Sequence, residues 1–243
     1  MRFTSEQRLD DDVLERSFAL GDVPGVLWTS ASAVAPAPLV LLGHPGGLDR
    51  MHPRVTARAR ACVAEGLAAA TIELPWSGVR PRSAAADQAR ADVRRTLAAG
   101  QPVGDEIVDR LILPLVEASV PEWRAAIDAL LLRPEIAGPV GFAGGVIAIG
   151  VRLARIEPRI AAALLFAGSF VPLGIIEEAR RVTAPVHVLL QWDDEGNDRQ
   201  RALDLFDAFG STEKTLHANM GGHTGVPQFE GEASTRFLVR HLR

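Results

Sequence analysis

Along most of this chain's 243 residues, short apolar runs of strand length alternate with stretches of helical period. That alternation is the strongest constraint on the fold. Strand–helix–strand units cross over with one hand, which leaves successive strands parallel and puts helices on both faces of the sheet. The runs at 38–42, 68–74, 139–142, 160–166, 185–191 and 213–218 read as the main strands, and 15–20 with 25–28 as a hairpin across Gly21-Asp22. Helical patterns occupy 53–65, 122–132, 146–156, 175–182, 199–209 and 228–242. Pro121 opens one helix, where its missing N–H costs little, and Pro158 closes another. Apolar residues make up 47% of the chain, enough to fill a core on both sheet faces. The expected fold class is α/β, with a mostly parallel central sheet of about eight strands in a single domain spanning 1–243.

One crossover is longer than the rest. Between about residues 80 and 120 lie two helical patterns, 84–99 and 105–118, broken at Gly100-Gln101-Pro102. They read either as two surface helices or as a small helical lid over the strand ends, since long excursions there often gate sites.

Several classes of function are disfavoured. The net charge is −4 and the 26 basic residues are scattered, with Arg58, Arg94, Arg95, Arg180 and Arg181 reading as solvated helix faces, so nucleic acid is not an expected partner. The single cysteine, Cys62, excludes an internal disulfide framework and reads as a small buried apolar residue. No apolar run reaches membrane-span length and the start lacks a signal-peptide core, so no membrane partner and a cytoplasmic location are the expectations. Metal-ligand spacings and a dinucleotide fingerprint are both missing, so the expected chemistry needs no cofactor.

The unusual residues collect after the C-terminal ends of strands, the edge where open parallel sheets bind ligands. Gly141-Phe142-Ala143-Gly144-Gly145 follows an apolar strand and opens a helix. This is the strand–turn–helix setting of the nucleophile elbow, G-x-S-x-G, with alanine where serine belongs. Its middle residue should sit on a strained turn that lifts the side chain clear of the sheet. The acid and the base should follow in that order. Asp194 follows the strand at 185–191 in Trp192-Asp193-Asp194, with Asp193 as the competing acid, and His223 follows the next strand in Asn219-Met220-Gly221-Gly222-His223. His223 would move the proton and Asp194 would orient the imidazole. His44, His52, His187, His217 and His241 lie in strands, beside helices or in a turn and are weaker candidates.

An oxyanion needs preorganised N–H donors. Gly144, after the nucleophile position, is one. The second should come from Gly43-His44-Pro45-Gly46-Gly47, where Pro45 has no N–H and Gly46 is the choice. Trp76, Phe142 and Trp192 lie near strand ends and read either as substrate-binding aromatic walls or as caps on the core. Ser169 and Ser77 follow strand ends but occupy no elbow.

In the GHPGG, GFAGG, WDDE and GGH segments, in that order, the chain resembles the α/β-hydrolase superfamily, particularly its small dienelactone-hydrolase-like and carboxylesterase-like members. The segment at 157–160, EPRI, is similar as well. The resemblance spans nearly the whole chain and implies an α/β-hydrolase fold acting on a small-molecule carboxylic ester or lactone through an acyl-enzyme. It puts Ala143 at the nucleophile, Asp194 at the acid, His223 at the base, and Gly46 and Gly144 at the oxyanion donors. Pro75-Trp76-Ser77-Gly78 departs from the turn many relatives carry, which leaves the substrate open. The larger departure is Ala143, because a methyl group cannot attack a carbonyl. The intact partners favour a deliberate replacement of serine in a working enzyme. The alternative is a natural ligand-binding pseudoenzyme. Oligomeric state is left open, a dimer among the options.

Overall fold

The computed structural model describes residues 1–243. Nine strands form one sheet: β1 (Arg2–Arg8), β2 (Val13–Leu20), β3 (Val23–Ser30), β4 (Ala37–Gly43), β5 (Ala68–Ile72), β6 (Ile136–Gly144), β7 (Ile160–Phe166), β8 (Val186–Gln191) and β9 (Lys214–Asn219). Their order is β1-β2-β3-β5-β4-β6-β7-β8-β9. The first three strands form an antiparallel meander joined antiparallel to β5, and the pairs from β5 to β9 are parallel. Seven helices connect them: α1 (Leu48–Ala64), α2 (Ala84–Ala98), α3 (Asp105–Leu131), α4 (Ile147–Ile156), α5 (Leu173–Ala179), α6 (Arg199–Ala208) and α7 (Gln228–Leu242). This is the expected α/β-hydrolase architecture with one strand more than the sequence suggested. None of the helices is long and apolar enough to cross a membrane.

The sheet's two faces bury separate apolar clusters. One, of 42 residues, includes Val116, Trp123 and Ile127 of α3 and Ile147 and Val151 of α4. The other, of 17, includes Val55, Ala59 and Cys62 of α1 and Leu238 and Leu242 of α7. Leu39, Val40, Leu41 and Leu42 of β4 are all buried, the near-continuous apolar run of a strand covered on both faces. Burial pushes the Cys62 thiol up to about 11, so it stays protonated and inert at neutral pH.

Two departures from the sequence reading have physical causes. The segment RFTSEQR has no apolar alternation, yet it forms β1 because it lies at the sheet edge, where it pairs with β2 from Arg2 to Arg8 and needs no buried face of its own. Residues 105–131 form one helix, not two, and Pro114 and Pro121 lie inside it. Each proline removes one hydrogen bond. The buried stripe Val108, Ile112, Leu115, Ser119, Trp123, Ala126 and Leu130 runs through both without a break in period, and its burial carries the helix across them.

β4 sits at the topological switch of the sheet. Its chain continues through α1 to β5 on one side, while β6 pairs with its other edge. In open α/β sheets the crevice beyond such a switch is where ligands bind.

The EPRI segment supports the floor of this half. Glu157 caps α4 and is 2% exposed. Its carboxylate accepts from Arg159 Nε at 2.7 Å and Nη2 at 2.8 Å, and from Arg124 Nε at 3.1 Å. The Arg159 bonds, outweighing burial and helped by Arg124, lower its pKa from 4.5 to about 2. A carboxyl depressed on folding stabilises the native state above its unfolded value and loses that contribution as pH falls through the folded one. At ~1.4 kcal/mol per pH unit this amounts to about 3 kcal/mol. Glu157→Gln should therefore lower stability at pH 7 by about 2–3 kcal/mol. It should also flatten the loss of stability between pH 4.5 and 2 in urea titrations.

Candidate active site

Four loops meet beyond the C-terminal ends of β4, β6, β8 and β9. The first follows β4. His44 is buried and its Nε2 donates to the carbonyl of Ile72 at 3.0 Å. Burial holds its pKa below the ordinary value, so the ring is a neutral strut for the loop. The start of α1 is fixed by Glu73, whose carboxylate oxygens accept from Leu48 N at 2.9 and 3.1 Å. Pro45 faces a cavity of about 740 Å³.

The loop after β8 carries the acid, Asp194, and the loop after β9 carries the base, His223. Asp194 Oδ2 lies 2.7 Å from His223 Nδ1. The carboxylate also accepts from Gly196 N at 2.9 Å and Asn197 Nδ2 at 2.6 Å. Burial alone would raise the Asp194 pKa, but these three hydrogen bonds outweigh it and hold the group ionised below the ordinary range. An ionised partner at Nδ1 assigns the proton to that nitrogen and leaves a lone pair on Nε2. Asp193 points elsewhere. Its carboxylate accepts from the backbone N–H groups of Gly221 and Gly222, at 2.9 Å each for Oδ1, and so ties down the loop that carries His223. Gln191 donates to the carbonyl of Gly222 at 2.9 Å from the same strand end. Phe166 packs its edge against the imidazole, ring centres 5.8 Å apart. Asp194 and His223 both line the cavity.

The loop after β6 differs from its expected form. Ala143 is still extended strand, paired with Leu42 of β4 and Leu164 of β7. It is 1% exposed and belongs to the apolar cluster on the α1 and α7 face with Leu189, Leu238 and Leu242. It does not line the cavity. The sharp bend comes one residue later, at Gly144 (φ 78°) and Gly145 (φ 73°). A Cβ on Gly144 would lie 2.7 Å from Arg58 Nη1, and one on Gly145 2.8 Å from the Gly43 Cα. Arg58 occupies that space because its guanidinium donates to the carbonyls of Ala143, at 2.8 Å, and Gly43, at 3.2 Å, clamping the ends of β6 and β4 together. Val146, the N-cap of α4, is the first residue after the bend to reach the cavity.

The structure thus brings Asp194 and His223 together and leaves the side chain of Ala143 in the core. Gly144 is the buried last residue of β6, paired with Gly43, and Gly46 is half-buried; neither lines the cavity. All three aromatic assignments as cavity walls need correction. Phe142 is a core residue, 1% exposed and edge-on to Trp123 at 5.8 Å, because the strand alternation turns it toward α3. Trp192 is 42% exposed with Arg199 stacked 4.4 Å over its ring, outside the cavity. Trp76 is half-buried against the larger core cluster and also lies off the cavity. The walls are instead Leu97, Leu111, Ile112, Leu115, Val146 and Phe170. The sequence offers residues 80–120 as a possible lid but does not single out these side chains; Leu97 comes from α2 and Leu111, Ile112 and Leu115 from α3, all remote in sequence from the strand ends they cover. Ser169 also lines the cavity, and its Oγ accepts from Ile147 N, in the first turn of α4, at 3.3 Å.

No family model matches this chain, and no curated protein does. Solved structures do. A cold-adapted esterase from an Arctic intertidal metagenomic library, solved as a polyethylene glycol complex, is 30% identical over 100% of both chains, with a TM-score of 0.79. The zinc-bound structure of a cold-adapted esterase from an Arctic intertidal metagenomic library aligns over 100% of both chains at 29% identity and a TM-score of 0.74. An acetyl xylan esterase from Paenibacillus sp. R4 shares the fold at 14% identity, over 99% of this chain and 88% of its own, with a TM-score of 0.67.

Proposed function

We propose, from the premise that this chain belongs to the α/β-hydrolase superfamily, that it holds a carboxylic ester or lactone in the cavity beside Asp194 and His223 and does not cleave it by the serine route. Esterases among its structural neighbours give the substrate class. In a serine-bearing member the hydroxyl at position 143 would attack the carbonyl and His223 would take its proton. Asp194 would stabilise the imidazolium, and the N–H groups of Gly46 and Gly144 would hold the oxyanion. Ala143 removes the first of these steps.

One observation carries the reading: the Asp194–His223 pair opens on a cavity to which the bend contributes Val146 and no hydroxyl. It also favours a natural binding protein over a working enzyme disarmed at one atom, reversing the preference drawn from sequence. Deleting a single oxygen would leave residue 143 facing the cavity, whereas here its methyl group packs in the core. Under the same reading residues 80–120 serve as a lid, since Arg90 and Leu97 of α2 and Leu111 and Ile112 of α3 wall the ligand space.

The test uses the native chain. Titration with a series of aliphatic lactones, followed by calorimetry and by the ring signals of His223, should give saturable binding at one site with the lactone recovered intact. Val146→Phe should abolish it by filling the cavity. A lactone and short-chain ester panel with no binding would overturn the reading. A second reading rests on the Ser169 hydroxyl, which shares the cavity with His223 and a helix N-terminus. It requires a serine-directed phosphonate to label the native chain at Ser169; an unlabelled native chain excludes it.

A further inference from the structure

A second cluster of chemically active side chains lies away from the cavity, at the opposite end of β8. His187 is near the start of that strand, and Asp194 follows its end. From residue 187 to residue 191 the strand covers roughly 13 Å at ~3.3 Å per residue. β8 and β9 are parallel, with His187 beside Thr215 and Leu189 beside His217. Residues two apart on a strand share a face, so His187 and His217 are diagonal neighbours on one side of the sheet. Their ring centres are 4.4 Å apart. Glu230, in the first turn of α7, comes down on the same spot and is 2% exposed.

We propose that His187, His217 and Glu230 form a binding site for a zinc-class divalent transition metal, with water completing the coordination. One ligand atom from each residue lies within 4.8 Å of the others. Two imidazoles and a carboxylate with an open fourth position make a donor set that suits zinc, at metal–ligand distances of about 2.0–2.2 Å. The open position exists, since the His217 side chain is 40% exposed.

Two features mark a prepared site rather than a chance cluster. First, His187 is 3% exposed and its Nε2 is buried with no hydrogen-bond partner. A buried polar atom left bare is costly, and a metal would satisfy it. Second, outer partners orient the ligands: Thr215 Oγ1 lies 3.1 Å from His187 Nδ1, and Asn219 Nδ2 donates to Glu230 Oε1 at 3.0 Å. His217 Nδ1 and Glu230 Oε2 are 2.9 Å apart, so admitting the ion between them replaces one hydrogen bond with two coordinate bonds. The titratable groups facing the ion are Glu230 and the two histidines, and Phe237 packs against His187 at 5.4 Å as an apolar wall. Sequence spacing hid the set because its members come from two strands and a helix.

Bound metal would tie α7 to the outer strands β8 and β9. Metal-stripped full-length protein titrated with zinc chloride should bind one equivalent, and its melting temperature should rise with free zinc. Cobalt(II) added in place of zinc should give the intense visible bands of a four-coordinate site. His187→Ala and Glu230→Gln should each lose the cobalt bands and the zinc-dependent rise. If His187→Ala fails to fold, Glu230→Gln carries the test alone. His223→Ala should keep both signals, which separates this site from the pair beside the cavity. Absence of stoichiometric binding would overturn the proposal, as would binding that survives Glu230→Gln or disappears with His223→Ala.

Discussion

Gly145→Ala should lower the melting temperature by roughly 10 °C, at ~2–4 °C per kcal/mol for a domain of this size. Two costs add. Residue 145 has φ 73°, a conformation that any side chain other than glycine's strains. That strain is worth about 1–2 kcal/mol. The new methyl would also stand 2.8–3.0 Å from the Gly43 Cα and C and the His44 N. All three are backbone atoms at the end of β4, so no side chain can swing aside, and overpacking of this kind costs about 1–3 kcal/mol. Gly100→Ala is the control, because Gly100 has φ 66° with nothing within 4 Å of a new Cβ. It should show the strain alone. Thermal melts of the two variants side by side separate the conformational part from the steric one. Equal losses would contradict a tight approach of β6 to the loop after β4.

Much of this molecule is legible in its sequence. The parallel strands announce themselves as apolar runs because both their faces are buried, as in Leu39–Leu42. The positions of Asp194 and His223 follow from chain order and strand ends, and they meet at 2.7 Å. The choice of Asp194 over Asp193 rests on adjacent side chains pointing apart, which they do.

What the sequence hides is long-range. β1 has no pattern of its own and exists because β2 offers it a partner. The two prolines in α3 argue for a break, and only the stripe packed on the sheet decides against it. The strand ends beside the bend after β6 are clamped by Arg58, a residue that reads as solvated surface in sequence. Its partners, the carbonyls of Gly43 and Ala143, are 15 and 85 residues away. Phe142 looks like a pocket wall from its place at a strand end, but alternation along β6 turns it toward Trp123. Four of the cavity's apolar walls come from α2 and α3, which the sequence leaves open between surface helices and a lid.

The other large effect concerns residue 143, where the two readings of the site part most widely. If Ala143 simply lacks its oxygen, Ala143→Ser rebuilds a triad. A positioned acid–base pair then contributes on the order of 10²–10⁴-fold to the rate. If the residue belongs to the core, the new hydroxyl enters an apolar cluster that includes Leu164, Leu189, Leu238 and Leu242. There it costs about 1–3 kcal/mol unless it finds an acceptor, and it never reaches the imidazole. The packing of Ala143 and the clamp of Arg58 on its carbonyl require the second outcome.

The decisive measurement is therefore intact-mass labelling of Ala143→Ser by a serine-directed phosphonate, read together with release of nitrophenol from a short-chain ester. The expected result is an unlabelled, less stable protein that releases no more nitrophenol than the native chain. Stoichiometric labelling at residue 143, with ester cleavage that vanishes on His223→Ala, would contradict it and identify the chain as an esterase missing one oxygen atom.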